Sequence, residues 1–135
     1  MITISGRVMR GDQYGRTLGF PTVNLDRRSY SRRKQKIKFG VYAGNVEIKN
    51  SKLKIENYLA GVIIGPLDKH QLPKLEAHLI GFKGNLYGKY LNIYLNRYIR
   101  PFKKFKTEAE LIKQIQKDIK KINTIYGKHS TEKEK

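Results

Sequence analysis

Residues 40–65 read GVYAGNVEIKNSKLKIENYLAGVIIG and contain two apolar runs, GVYAGNVEI at 40–48 and YLAGVIIG at 58–65. A polar segment rich in lysine and asparagine separates the two runs. Short runs of β-branched and aromatic residues bounded by such polar segments are typical of β-strands joined by turns. This stretch therefore predicts two neighbouring strands, and it favours a β-rich fold.

Similar runs recur on both sides of this stretch, as TISGRVM at 3–9, LEAHLIGF at 75–82 and LNIYLNRY at 91–98. Glycine, asparagine, proline or lysine clusters separate them. Many short strands with turn residues between them indicate an all-β sandwich or barrel.

The pattern changes after RPFKKF, where Thr107 and Glu110 have the spacing of a helix-capping box. Apolar residues then repeat at helical spacing, namely Leu111, Ile112, Ile115, Ile119 and Ile122. They predict an amphipathic helix over 108–126, which we expect to pack on the barrel. Residues 127–135 are polar and predict a disordered tail, so we expect one domain over 1–126.

Composition narrows the classes of function. Lysine and arginine number 29 against 11 acidic residues, and the net charge of +18 favours polyanionic partners such as phosphates, nucleotides or nucleic acid. The absence of cysteine excludes disulfides, thiolate metal sites and cysteine nucleophiles. No apolar run approaches the roughly 20 residues that span a bilayer, and the N-terminus lacks the apolar region of a signal peptide. We expect a soluble, cytoplasmic monomer that does not enter a membrane.

The segment DRRSYSRRKQKIK, residues 26–38, carries seven basic residues and predicts an exposed loop. Its cations, from Arg27 to Lys38, could bind polyanions without sequence specificity. The alternative is a solvated insertion that has no partner.

The segment GRTLGFPTVN, residues 15–24, contains two glycines and Pro21 and predicts a shaped loop, neither strand nor helix. Thr22 and Asn24 each offer a neutral oxygen, a ligand type that suits a hard cation such as Mg²⁺ completed by nucleotide phosphates. The alternative is that these residues only terminate a turn.

The preceding segment GRVMRGDQYGR, residues 6–16, is rich in glycine and arginine. Such loops can hold phosphate through backbone N–H groups and guanidinium groups. A β-hairpin corner is the alternative, since neither a Walker loop nor G-x-G-x-x-G is present.

Glu76 is unusual because it lies in the otherwise apolar run LEAHLIGF. A carboxylate in such a setting could act as a general base on a hydroxyl group. The alternative is a solvent-facing glutamate on an edge strand, with His78 on the same face. The three histidines lack metal-ligand spacing, so a zinc site is not expected.

Together these segments resemble the riboflavin kinase (flavokinase) family, ATP:riboflavin 5′-phosphotransferases. The matching stretches cover the larger part of the chain and are GRVMRGDQYGRTLGFPTVNL, FGVYAG and LEAHLIGFKGNLYGKYLNIYLNRYIRPFKKFKTEAELIKQIQKDI. The resemblance implies a six-stranded antiparallel Greek-key β-barrel with a C-terminal amphipathic helix. It also implies transfer of the ATP γ-phosphate to the ribityl 5′-hydroxyl of riboflavin, which gives FMN and ADP.

The resemblance further assigns roles to individual residues. Thr22 and Asn24 match ligands of Mg²⁺, or another divalent cation, and of the ATP phosphates, and Glu76 matches the base. The other positions matching the ATP site are Gly11, Arg16, Leu79, Gly81 and Tyr87. The positions matching the segment that closes over the flavin are Arg100, Lys103 and Phe105.

The chain departs from the family pattern after Gly65, where PLDKHQLPK stands in place of an R-P-T segment. We expect this strand connection to be rebuilt, with an effect on the flavin side of the site. No adenylyltransferase module precedes Met1, so we expect a kinase that does not also make FAD.

The residues alone do not exclude two other functions. A basic β-barrel could bind single-stranded nucleic acid through cationic grooves and stacking aromatics, and nine tyrosines with the +18 charge favour it. A kinase-like flavin sensor with reduced turnover is the other alternative.

Overall fold

The structure, a computed structural model, describes residues 2–10, 19–31, 36–49 and 55–134, with only the backbone described at 29 and 128–134. The strands are β1 (Ile2–Met9), β2 (Val23–Leu25), β3 (Gly40–Lys49), β4 (Ile55–Leu67), β5 (Pro73–Leu79) and β6 (Tyr90–Arg100), and the helices are α1 (Arg28–Ser31) and α2 (Glu108–Glu134). The chain divides into two compact units, Met1–Phe102 with all these strands and Lys103–Lys135 with α2. The predicted domain extent of 1–126 stays a prediction.

The six strands form a closed antiparallel barrel in the order β1-β2-β5-β4-β3-β6. Within it, β6-β3-β4-β5 has the order of a Greek key, in which the fourth strand returns beside the first. Closure gives every strand a partner on both sides, although β2 pairs with only two residues of β1 and two of β5. The predicted six-stranded antiparallel Greek-key barrel with a C-terminal helix is therefore confirmed.

The two strands predicted within 40–65 form one long hairpin, β3 with β4, paired from Gly40 and Ile64 to Lys49 and Ile55. Six of its side chains are at most 1% exposed, namely Ala43, Val46, Ile48, Ala60, Val62 and Ile64. Full burial of an aliphatic side chain stabilises a fold by about 1.5–3 kcal/mol relative to exposure. This hairpin therefore contributes a large part of the barrel core.

The short strand β2 corrects the prediction that residues 15–24 form neither strand nor helix. Residues 15–18 lie outside the described part of the chain, but Val23–Leu25 pairs with both β1 and β5. Pro21 has no N–H to donate, so strand pairing begins after it. Three residues are too few to show an alternating pattern in the sequence.

The basic segment 26–38 is also more ordered than the predicted exposed loop. Residues 28–31 form the one-turn helix α1, whose first N–H, that of Arg28, donates to Asp26 Oδ1 over 3.0 Å. Ile37 is only 3% exposed and belongs to the barrel core. Residues 32–35 lie outside the described residues.

Helix α2 begins at Glu108, as predicted, and Thr107 caps it, while Glu110 accepts from the residue before the cap. The N–H of Glu110 donates to Thr107 Oγ1 over 3.1 Å, and the Glu110 carboxylate accepts from the N–H of Lys106. The helix continues to Glu134, beyond the predicted helix end at 126. The predicted disordered tail over 127–135 stays a prediction. A glycine inside a helix costs about 1 kcal/mol, so Gly127 weakens the helix without having to end it. None of the helices in the described residues could cross a membrane.

Candidate active site

Asn24 and Glu76 occupy paired positions on β2 and β5. Along β5, alternate residues from Pro73 to Leu79 are buried in the barrel, while Glu76 and its neighbours Lys74 and His78 face outward. Glu76 is half-buried on this outer face, not enclosed in the barrel interior. Because the barrel is closed, β5 is not an edge strand, although His78 does share the outer face with Glu76. The role of Glu76 as a general base stays a prediction.

Two clefts meet at Asn24 on this outer wall. The Glu76 cleft, about 720 Å³, is lined by Asn24, Arg27, Asp68 and Glu76 among others. The Thr22 cleft, about 540 Å³, is lined by Thr22, Asn24, Leu79 and Tyr87 among others. Asn24, Met9 and Arg10 line both clefts, so these residues form the boundary between them.

The Thr22 cleft has the chemistry of a nucleotide site. Its apolar wall consists of Val8, Val23, Leu79, Phe82 and Leu86. Arg10 and Lys83 supply cationic groups, and the described residues that line it include no acidic side chain. Tyr87 lies at the rim with 53% of its surface exposed. An apolar and aromatic wall beside cations and the neutral oxygens of Thr22 and Asn24 suits a base at one end and phosphates at the other.

His78 holds the segment before Thr22 against β5. Its Nδ1 lies 2.8 Å from the carbonyl oxygen of Pro21, and its ring meets the Phe20 ring edge-on at 5.9 Å between centroids. Because a carbonyl only accepts, Nδ1 carries the proton in this bond. The shared face of His78 and Glu76 follows from their spacing in the sequence, but the contact of His78 with Pro21 has no local sequence signal.

Arg10 is a second residue that the sequence analysis missed. Its guanidinium carbon lies 5.0 Å from the centre of the Tyr87 ring, a cation–π contact at the rim of the Thr22 cleft. The N–H of Tyr87 donates to Asn85 Oδ1 over 2.8 Å, which fixes the backbone that carries this ring. The arginine-rich sequence before residue 11 was the available signal.

An ion pair between Arg27 and Asp68 lies in the Glu76 cleft. The hydrogen bond from Arg27 lowers the pKa of Asp68 from its ordinary 3.8 to about 2, assisted by the N–H groups of His70 and Leu72 and opposed by desolvation. Asp68 is therefore ionised throughout the neutral range. A second ion pair, Arg28 with Asp26, lies next to it along the chain.

Several predicted nucleotide residues fall elsewhere or are not described. Gly11 and Arg16 lie outside the described residues. Gly81 has a φ of +83° in the turn after β5, a conformation that favours glycine, and it does not line either of the two clefts. Of the predicted ATP-site residues, the Thr22 cleft brings together Thr22, Asn24, Leu79 and Tyr87.

The predicted flavin residues are spread over the two compact units. Arg100 ends β6, donates from Nη1 to the carbonyl oxygen of Pro101 over 3.2 Å, and does not line either cleft. Lys103 and Phe105 belong to the second unit, where Lys103 Nζ lies 5.7 Å from the centre of the Phe105 ring. Their role in binding flavin stays a prediction.

The donor set around Thr22 fits a divalent cation that arrives with phosphates. Thr22 and Asn24 place neutral oxygens in one cleft, the ligand type that Mg²⁺ accepts while substrate phosphates complete its shell. Among the described residues, no group of three or more His, Cys, Asp or Glu side chains could hold a metal alone.

Comparisons with known proteins identify the family. A profile described as Flavokinase, riboflavin kinase, matches residues 1–126. The bifunctional riboflavin kinase/FMN adenylyltransferase of Haemophilus influenzae is 35% identical over 92% of this chain, which spans only 38% of that relative. A crystal structure described as a macrolide-efflux protein from Streptococcus pneumoniae is also similar, with 28% sequence identity and a TM-score of 0.75. The match covers 87% of this chain and 37% of the S. pneumoniae chain. Riboflavin kinase from Trypanosoma brucei, at 21% identity, shares the fold over 93% of this chain and 80% of its own, with a TM-score of 0.66.

The strands form a small β-barrel with two adjoining clefts on its wall. The chain belongs to the riboflavin kinase family, whose members are ATP-dependent kinases that form FMN. The family membership predicted from the sequence is confirmed.

Proposed function

We propose that this chain is a riboflavin kinase, which transfers the γ-phosphoryl group of ATP to the ribityl 5′-hydroxyl of riboflavin and releases FMN and ADP. The observation that carries this proposal is the Asn24–Glu76 pair at the meeting point of the two clefts. A phosphoryl donor and an acceptor alcohol must approach within bonding distance, so their sites must adjoin. Because the chain belongs to the riboflavin kinase family, we interpret the pair as a cation ligand, Asn24, beside a general base, Glu76.

Glu76 acts as the general base in this proposal. Its carboxylate takes the proton of the 5′-hydroxyl as the hydroxyl oxygen bonds to the γ-phosphorus, and the bond from that phosphorus to the bridging oxygen of ADP breaks. General base catalysis contributes about 10²–10⁴ in rate, and the rest of phosphoryl transfer depends on positioning and charge stabilisation.

The nucleotide occupies the Thr22 cleft. Leu79 and Tyr87 pack against the base or sugar, while Arg10 neutralises phosphate charge at the boundary between the clefts. Gly11, Arg16 and Gly81 are proposed as further nucleotide contacts from their sequence motifs alone. Thr22 and Asn24 hold the divalent cation, which we propose is Mg²⁺. When bound, this cation neutralises charge on the phosphates.

The acceptor occupies the Glu76 cleft, with its ribityl chain directed toward Glu76. Arg100, Lys103 and Phe105 are proposed as flavin contacts because they belong to the motif R-P-x-x-x-F. An aromatic ring such as Phe105 can stack on an isoalloxazine ring, and cationic side chains can stabilise its polar edge.

Incubation of the protein with riboflavin, ATP and Mg²⁺, followed by mass detection of flavins, tests the proposal. We expect FMN and ADP to form in equal amounts. Flavin binding without FMN would favour a flavin sensor, and the absence of both flavin binding and FMN would favour a basic nucleic-acid-binding barrel.

We also propose that the basic segment 26–38 binds polyanions without sequence specificity. The support is the net charge of +18 and the exposed Arg28, Lys36 and Lys38 in the described part of the segment. We propose a monomer, because one chain carries both clefts, and a cytoplasmic location, because the reaction consumes ATP. Size-exclusion chromatography with light scattering and cell fractionation test these two points.

A further inference from the structure

The connection between β4 and β5, residues 68–72, is closed by bonds centred on Asp68. The backbone N–H of Asp68 donates to the Leu72 carbonyl over 2.9 Å, and its Oδ1 accepts from the N–H groups of His70 and Leu72 over 2.8 and 3.3 Å. Gln71 completes the turn with a φ of 62° and an N–H bond to the Asp68 carbonyl. The connection is therefore a single compact turn, organised by one side chain.

The second carboxylate oxygen of Asp68 joins this turn to another part of the barrel. Arg27 Nη1, two residues after β2, donates to Asp68 Oδ2 and lies 3.5 Å from the Leu72 carbonyl oxygen. Both side chains are only about a quarter exposed, at 26% for Arg27 and 21% for Asp68. One arginine thus ties the β4–β5 turn to the segment that follows β2.

Both tied segments line the Glu76 cleft. The turn contributes Asp68, Lys69 and His70 to its wall, and the segment after β2 contributes Asp26 and Arg27. Ion pairs at a protein surface typically contribute only about 0–1 kcal/mol to stability. The main consequence of this pair is therefore the fixed position of the turn relative to β2, and with it the width of the cleft.

We propose that Arg27 and Asp68 form a positioning pair, which holds the β4–β5 turn at the width of the Glu76 cleft that admits the flavin-bearing acceptor alcohol. The inference rests on the proposed function, since it assumes that the acceptor enters this cleft. Neither Arg27 nor Asp68 lines the Thr22 cleft, so we expect the pair to have no effect on nucleotide binding.

Conservative variants distinguish the effect of the ion pair from that of the hydrogen bonds within the turn. Asp68→Asn keeps an oxygen that can accept the N–H bonds within the turn but removes the charge that Arg27 meets, and Arg27→Gln removes the guanidinium. The double variant and the exchanged pair, Arg27→Asp with Asp68→Arg, complete the set. Arg28→Ala is the matched control, because Arg28 belongs to the neighbouring ion pair, has a side chain 78% exposed and does not line the cleft.

Steady-state kinetics of the full chain give KM for riboflavin, KM for ATP and kcat, and flavin fluorescence gives equilibrium affinity. Contacting residues typically couple strongly enough to change affinity severalfold. We expect each single variant to raise KM and Kd for riboflavin about fivefold or more, with KM for ATP and kcat within about twofold of wild type. The double variant is expected to add little to either single change, the exchanged pair to recover part of the affinity, and Arg28→Ala to match wild type.

Unaltered riboflavin affinity in folded Arg27→Gln and Asp68→Asn, with FMN still formed by wild type, would overturn the inference and leave the proposed function intact. A loss confined to KM for ATP would overturn it as well. If wild type formed no FMN, the proposed function and the inference that rests on it would fall together. Circular dichroism identifies any unfolded variant, and Arg27→Gln, which leaves the hydrogen bonds of Asp68 within the turn intact, then decides by its riboflavin affinity.

Discussion

Asn24 and Glu76 lie opposite each other on adjacent antiparallel strands, one at the shared boundary of two clefts and the other within the Glu76 cleft. Cβ atoms of directly opposed residues in a sheet are about 4.5–5.5 Å apart. A register shift of one residue would turn the side chains of the shifted strand to the other face, so the barrel holds this spacing firmly. The proposed metal ligand and the proposed base are thus fixed relative to each other before any substrate binds.

Thr22→Ala and Asn24→Ala are expected to weaken Mg·ATP binding and to leave riboflavin binding nearly unchanged. Hydrogen bonds and ligand contacts to charged groups contribute about 1.5–3 kcal/mol, so each change should cost about tenfold or more in nucleotide affinity. Calorimetric titration with a non-hydrolysable ATP analogue measures this, and Thr22→Ser, which keeps the hydroxyl, is the matched control. Unchanged nucleotide affinity, or a selective loss of flavin affinity, would remove both residues from the metal side of the site.

His78→Ala is expected to release the Pro21–Thr22 segment from β5, because it removes the Nδ1 bond to the Pro21 carbonyl. Loss of such a bond costs about 0.5–1.5 kcal/mol in unfolding free energy, and Mg·ATP affinity should fall with it while riboflavin affinity holds. His78→Asn can place an amide N–H near the Nδ1 position and should restore part of the affinity. Equal losses of nucleotide and flavin affinity would show a general effect on the fold.

Asp68 should make the unfolding free energy depend on pH at acid values. The pKa of Asp68 is lowered from 3.8 to about 2 in the folded protein, so its contribution is fully present above about pH 4 and is lost as the pH falls toward 2. Urea unfolding of wild type and Asp68→Asn across this range tests the expectation. The difference between the two proteins should shrink as the pH falls, and a difference that stays constant would contradict the Arg27–Asp68 pair in solution.

Replacement of Arg28, Arg32, Arg33 and Lys34 by serine should reduce polyanion binding and leave FMN formation intact. Arg27 is kept, because it pairs with Asp68 in the Glu76 cleft. Each lost contact to a single-stranded backbone should lower the slope of log K against log salt by about 0.7. Filter binding of a single-stranded oligonucleotide at several salt concentrations measures the slope. Unchanged binding would place the relevant charge elsewhere, and a collapse of kinase activity in folded protein would place the segment in the active site.

The sequence predicts those parts of the fold in which a local pattern repeats. β3 and β4 each contain a long apolar run bounded by polar residues, which predicts them, whereas β2 has three residues shortly after a proline and shows no such pattern. Helix α2 was located by its cap and apolar stripe, but its end was not, since Gly127 permits a helix without requiring it to stop.

The candidate site could be predicted only in part, because its residues meet through pairing between distant segments. Sequence motifs indicate Thr22, Asn24 and Glu76 individually. These residues come together only because β2 pairs with β5, which no local pattern predicts. Arg27 and Asp68, 41 positions apart, carry no local signal of their contact. The same holds for His78 and Pro21, 57 positions apart.

Glu76 is proposed to promote transfer of the ATP γ-phosphoryl group to riboflavin, and a single-turnover reaction with ATP labelled by heavy oxygen in the γ-phosphate tests this role directly. Mass spectrometry of the FMN, for wild type and for Glu76→Gln, follows the label. We expect wild type to form FMN that carries the labelled phosphate, and Glu76→Gln to bind both substrates but react about 10²-fold or more slowly, as the loss of a general base requires. Near-normal transfer by Glu76→Gln, or no labelled FMN from wild type, would contradict the account.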